Sequence, residues 1–207
     1  MASSALKLRV GLTGGIGSGK TAVTDYLAAH KAISIVDADI IAHDVVKKGE
    51  PVLQDIAEYF GPNSLSDTGE MNRAYIREQI FNDPAKKQWL EATLHPLINQ
   101  RIQTQLTEAS SAYIVLVSPL LFETKQYQLV DTVVVVDASH EVQIQRASQR
   151  DDVNESQIEK IIVAQMDRQQ RLDQADYVIN NSGNLSELHT QTDNLHDILI
   201  ELTQQLS

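Results

Sequence analysis

No cysteine occurs in the 207 residues, which removes disulfides, thiolate metal sites and a cysteine nucleophile. Positive charge is scarce: 17 Lys and Arg stand against 28 Asp and Glu, a formal charge of −11. That balance works against a polyanionic partner such as duplex nucleic acid. Long apolar runs are also missing. The longest, Tyr113–Val117 and Val133–Val136, fall far short of a bilayer span. The opening residues Met1-Ala2-Ser3-Ser4 lack the apolar core of a signal peptide. Together these absences lead to the expectation of a cytoplasmic chain with neither a membrane nor a nucleic-acid partner. The length suits one α/β domain with room for a small insertion.

What is present centres on Gly14-Gly15-Ile16-Gly17-Ser18-Gly19-Lys20-Thr21, a full match to G-x-x-x-x-G-K-[ST]. A strand-like stretch, Leu6–Thr13, precedes it, and Val23, Tyr26 and Leu27 behind it carry the apolar stripe of a helix. Glycines let successive N–H groups converge on one anion, and a helix start adds its positive dipole end. Lys20 is of a length to reach the β- and γ-phosphates of a nucleoside triphosphate, and the Thr21 hydroxyl to hold magnesium. Gly15 through Ala22 are therefore the expected nucleotide contacts, with Thr21 the expected Mg2+ ligand.

The remainder reads as strands alternating with helices. Ala32–Val36 is expected to be a parallel strand buried on both faces, ending at Asp37-Ala38-Asp39. Residues 51–108 hold only helical patterns, with Pro51 in a first turn, Asn72 as a cap, and Pro96 ending or kinking a helix. Strand signals return at Tyr113–Val117, Thr132–Val136 and Tyr177–Ile179, interleaved with helices capped by Ser139 and Asn154 and closed by an amphipathic tail. The expected fold is α/β: a three-layer, P-loop NTPase-type core with a parallel central sheet, spanning roughly residues 6–50 and 110–207. A helical acceptor-binding insertion at roughly 51–108 and a lid at roughly 146–171 complete it.

A phosphate loop does not choose its chemistry. A guanine-reading GTPase needs N-K-x-D, and the chain contains no Asn-Lys pair. A motor-type ATPase needs adjacent acids after an apolar strand, yet Ala138 follows Asp137. Asp137 reads as a strand end, or as water-mediated support for magnesium. Kinases of small hydroxyl acceptors need a carboxylate near the γ-phosphate and cations around it. Asp39 is the candidate base, with a helix cap as its bland alternative. Arg146, Arg150, Arg168 and Arg171 are the candidate cations, arginine pairing with phosphate oxygens through a planar fork. A nucleotide-switched binding module remains a rival, and slow hydrolysis without acceptor stimulation is its signature.

Several ordered stretches resemble the dephospho-CoA kinase family: Gly11–Lys20, Val36-Asp37-Ala38-Asp39, Leu94-His95-Pro96-Leu97-Ile98, Pro119-Leu120-Leu121-Phe122-Glu123, Gln149-Arg150-Asp151, Arg171-Leu172, and Ala175-Asp176 through Asn180-Asn181 and Gly183. The resemblance covers nearly the whole chain. It implies transfer of the γ-phosphate of ATP to the ribose 3′-hydroxyl of dephospho-coenzyme A. It further implies Asp39 as base, with Lys20 and Arg146 also catalytic, Arg146 and Asn181 at the nucleotide, and Asp39, Arg77, His95, Leu120 and Glu123 at the acceptor. One departure is Ser118, where some relatives carry an acid.

Overall fold

The computed structural model describes residues 7–205; Leu6, expected to open the first strand, lies outside them. Two compact units are present, one running to Val36 and resuming at Leu106, the other Asp37–Gln105.

The first unit is built on five strands: β1 (Arg9–Thr13), β2 (Ser34–Asp37), β3 (Ile114–Val117), β4 (Thr132–Asp137) and β5 (Tyr177–Asn180). Their spatial order is β2-β3-β1-β4-β5. β1 runs parallel to both β3 and β4, and β4 parallel to β5. Every residue of β3 and β4 is buried, as expected of β-branched runs covered on both faces. β2 departs from that expectation. It is an edge strand in which only Val36 is fully buried, because strand order, which sequence pattern does not encode, leaves it one neighbour.

On one face, Val10, Leu12, Tyr113, Val115 and Val134 pack with Val23 and Leu27 of α1 (Lys20–Lys31) and with Leu188, Leu195 and Leu199 of α9 (Leu185–Gln205). On the other, a Cβ placed on Gly11 would lie 2.9 Å from Leu121 and Val130 side chains. That closeness seats the chain after β3 directly on β1. Three helices stand between β4 and β5: α6 (His140–Asp151), α7 (Glu155–Ala164) and α8 (Arg168–Asp173). Ser139 and Asn154 cap the first two through Val142 N–H and Gln157 N–H, at 3.4 and 3.0 Å. At the β5 edge, the Gln191 carboxamide pairs with Asn180 N–H and C=O at 2.9 and 2.8 Å. It satisfies groups that a further strand would otherwise take.

The second unit carries α2 (Ala38–Asp44), α3 (Val52–Phe60), α4 (Arg73–Asn82) and the long α5 (Pro84–Glu108). Val52, Leu53, Ile56 and Phe60 form the buried stripe of α3, and Gly61 ends it at φ +87°. Trp89 of α5 stacks on Tyr59 at 4.0 Å and meets Phe60 edge-on at 5.7 Å. Pro96 does not end α5, which runs through it. It removes one backbone donor, and the helix to either side continues.

Candidate active site

β1 ends at Thr13 and α1 starts at Lys20, so the glycine-rich stretch is a loop at the carboxyl end of the central strand. That is where ligands bind in open parallel sheets. Two of its glycines are obligatory. Gly17 has φ +70° and Gly19 has φ +94°, a region that side-chain-bearing residues resist. A Cβ would also run into the Gln143 carbonyl at the first and the Asn181 carboxamide at the second.

The loop is held by side chains from distant parts of the unit. Lys20 Nζ donates to the Gly14 and Gly15 carbonyls at 2.8 and 3.1 Å, which anchors the ammonium across the loop. Asn181 is buried; its Nδ2 donates to Ser18 O at 2.8 Å, and Arg146 Nη1 donates to Asn181 O at 2.8 Å. The predicted pair Arg146 and Asn181 is thus brought onto the loop as a chain of two hydrogen bonds. Thr21 is exposed in the first turn of α1, while the Ala22 N–H donates to Gly19 O at 3.1 Å. Ser18 Oγ is buried without a hydrogen-bond partner among the described residues.

The four candidate arginines separate. Arg168 makes a two-bond pair with Asp137, Nε to Oδ1 at 2.8 Å and Nη2 to Oδ2 at 2.5 Å, and that bonding raises its pKa further. Asp137 therefore fastens α8 to the end of β4. Arg150 pairs with its neighbour Asp151 at 2.7 and 2.8 Å. Arg171 is only 5% exposed, and its Nη2 donates to Met166 O at 2.7 Å. Burial pulls its pKa down, and Glu123, Asp137 and Asp167 oppose the shift. Its Nη1 would lie 3.3 Å from a Cβ on Gly15, so it stands directly against the loop.

Two carboxamides escaped sequence reasoning. Gln143 is buried on α6; its Nε2 donates to Ala138 O at 2.8 Å, and its Oε1 fills the space that a Gly15 side chain would need. Gln165 accepts the Ile16 N–H on Oε1 at 3.0 Å. Neither carries a charge or a motif, and the phosphate-loop residue that each one meets is far away in the chain. A cavity of about 490 Å³ lies beside them, lined in part by Gln143, Gln165, Met166, Arg168 and Arg171. In the turn after β3, Leu120 is exposed and Glu123 Oε1 accepts Met166 N–H at 2.9 Å.

In the second unit, the cap of α2 is Asp37. Its Oδ1 accepts the N–H groups of Asp39 and Ile40 at 2.8 and 3.0 Å. Asp39 lies exposed in the first turn, two residues beyond the end of β2. Capping, the bland alternative for Asp39, thus falls to its neighbour. Arg77 is exposed on α4, and His95 is exposed on α5 directly before Pro96.

A family model described as dephospho-CoA kinase matches residues 8–187. The chain belongs to the dephospho-CoA kinase family. It is 48% identical to the dephospho-CoA kinase of Acinetobacter baylyi, covering 91% of this chain and 96% of that one. The Escherichia coli K12 dephospho-CoA kinase is 44% identical, covering 95% of each. Among solved structures, TT1252 from Thermus thermophilus superposes with a TM-score of 0.81 at 25% identity, covering 92% of this chain and 97% of that one. Shikimate kinase from Bacteroides thetaiotaomicron, with a TM-score of 0.54 at 16% identity over 94% and 99% of the two chains, shares the fold. The α/β P-loop architecture expected from the sequence is the one observed.

Proposed function

We infer that the protein transfers the γ-phosphoryl group of ATP to the ribose 3′-hydroxyl of dephospho-coenzyme A, releasing coenzyme A and ADP in the last step of coenzyme A biosynthesis. The observation that carries this reading is the family match across residues 8–187, which takes in the phosphate loop, Asp39 and Asn181 together.

Within it, Asp39 accepts the proton of the attacking hydroxyl. Its exposure and the transfer of capping to Asp37 support that role. Lys20, Arg146 and the buried Arg171 spread the charge that develops on the transferring group, in a loop shaped so that backbone N–H groups approach the phosphates closely. Gly15 to Ala22 and Asn181 hold the nucleotide. Arg77, His95, Leu120 and Glu123 receive the acceptor, a proposal that rests on the family motifs. Thr21, exposed in the first turn beside Lys20, would hold magnesium through its hydroxyl, and the ion would supply charge that neutralises the phosphates. Among the described residues no helix is long and apolar enough to cross a membrane. A cytoplasmic setting belongs to the same proposal, since ATP is supplied there.

The test is ADP release measured with ATP alone and with a panel of hydroxyl acceptors. Stimulation by dephospho-coenzyme A and not by shikimate or nucleosides is expected. Equal rates with and without every acceptor would instead favour a nucleotide-switched binding module.

A further inference from the structure

Gln165 and Met166 sit where three parts of the first unit meet. Gln165 closes α7: its N–H donates to Ile161 O and Ile162 O at 3.1 and 3.2 Å. Its side chain leaves the helix and accepts the Ile16 N–H of the phosphate loop at 3.0 Å. The next residue turns the other way. Met166 N–H donates to Glu123 Oε1 at 2.9 Å, and Met166 O accepts from Arg171 at 2.7 Å. One peptide unit therefore separates an anchor on the phosphate loop from an anchor on the turn after β3. The peptide is planar and stiff, so between the two anchors the slack is left to the side-chain torsions of Gln165 and Glu123. Arg171, 95% buried, leaves the junction little slack.

We propose that Gln165 is a positioning residue for phosphoryl transfer: through Met166 it sets the phosphate loop and the Glu123 turn together. The inference rests on the functional reading above only in taking that turn as part of the acceptor site. Binding that draws on Glu123 is then felt at Ile16, in the loop after β1, whereas Asp39 of α2 follows the end of a different strand, β2. A loop fixed in this way holds the terminal phosphate where an in-line attack requires it.

Amide hydrogen exchange across residues 14–20 tests the link without substrate. Gln165→Ala removes the acceptor for Ile16 N–H, and Glu123→Ala removes the second anchor. Each speeds exchange of the loop by about fivefold, the weight of one hydrogen bond, and the double variant adds nothing beyond Gln165→Ala. Gln165→Glu keeps an acceptor oxygen at the same reach and restores protection; Gln165→Asn, one methylene short, does not, and it serves in place of Gln165→Ala if that variant melts uncooperatively. In turnover, Gln165→Ala lowers kcat about tenfold while KM for ATP moves less than about threefold. Loop exchange unchanged in Glu123→Ala, multiplicative effects in the double variant, or an unaltered kcat in Gln165→Ala each overturns the proposal. Failure of the wild-type protein to phosphorylate dephospho-coenzyme A overturns the functional reading instead, and the exchange comparison still decides the link.

Discussion

Two aspartates two positions apart divide their work. Asp37 caps α2 with one carboxylate oxygen accepting two N–H groups, whereas Asp39 stands exposed in the first turn. Asp37→Ala should cost about 1 kcal/mol of stability, the usual weight of a cap, seen as a lower melting temperature. Asp39→Asn should lower the melting temperature less than Asp37→Ala does, keep ATP affinity in a titration near normal, and remove most turnover, on the order of a hundredfold or more. Near-normal turnover in Asp39→Asn, or equal effects of the two variants on both readouts, would refute the division. At Gly19 the backbone stands at φ +94° with the Asn181 carboxamide against it. Gly19→Ala should therefore weaken ATP binding at least tenfold by calorimetry, and undiminished affinity would show that the loop relaxes freely.

Elements were the most legible scale. Asn72, Ser139 and Asn154 are caps in the structure as in the sequence, because a cap and its amide lie within three residues of each other. The run Thr132–Val136 reads as a buried strand for the same local reason. What depends on distant neighbours was hidden: the edge position of β2, the pairing of Arg168 with Asp137, and the grip of Gln143 and Gln165 on the phosphate loop. The packing of α9 behind α1 brings a further consequence. His196 Nδ1 lies 3.0 Å from the hydroxyl of Tyr113, which is fully buried. Burial, then Lys31, lowers the His196 pKa below its ordinary 6.5, against the opposing pull of Asp197 and Asp193. The unfolded chain thus takes up this proton more readily than the folded one. The contribution is fully present above about pH 6.5 and is lost as the pH falls through and below that value. Melting temperature should drop on acidification from about pH 7 to about pH 5.5, and His196→Gln should flatten that part of the profile. An identical slope in the variant would assign the acid sensitivity elsewhere.

At the scale of the whole molecule, the charge of −11 repels the anionic substrates that the site binds. On the reading proposed above, local contacts from the phosphate loop, Lys20, Arg146 and Arg171 supply the attraction. Added salt screens the long-range field far more than contacts within a few ångströms. Accordingly kcat/KM for ATP should hold steady or rise between about 0.05 and 0.2 M salt; a steep fall would reveal steering by a basic surface. The fold and the phosphate loop were legible because they are written in contiguous residues, and the family emerges from motifs spread along the chain. The account as a whole comes down to where one phosphoryl group lands. ATP labelled at the γ-phosphate, incubated with dephospho-coenzyme A and the protein, should leave its label on the ribose 3′-oxygen of the product, located by phosphorus NMR and mass spectrometry. Label recovered only as inorganic phosphate, or on any other oxygen of the acceptor, would contradict it.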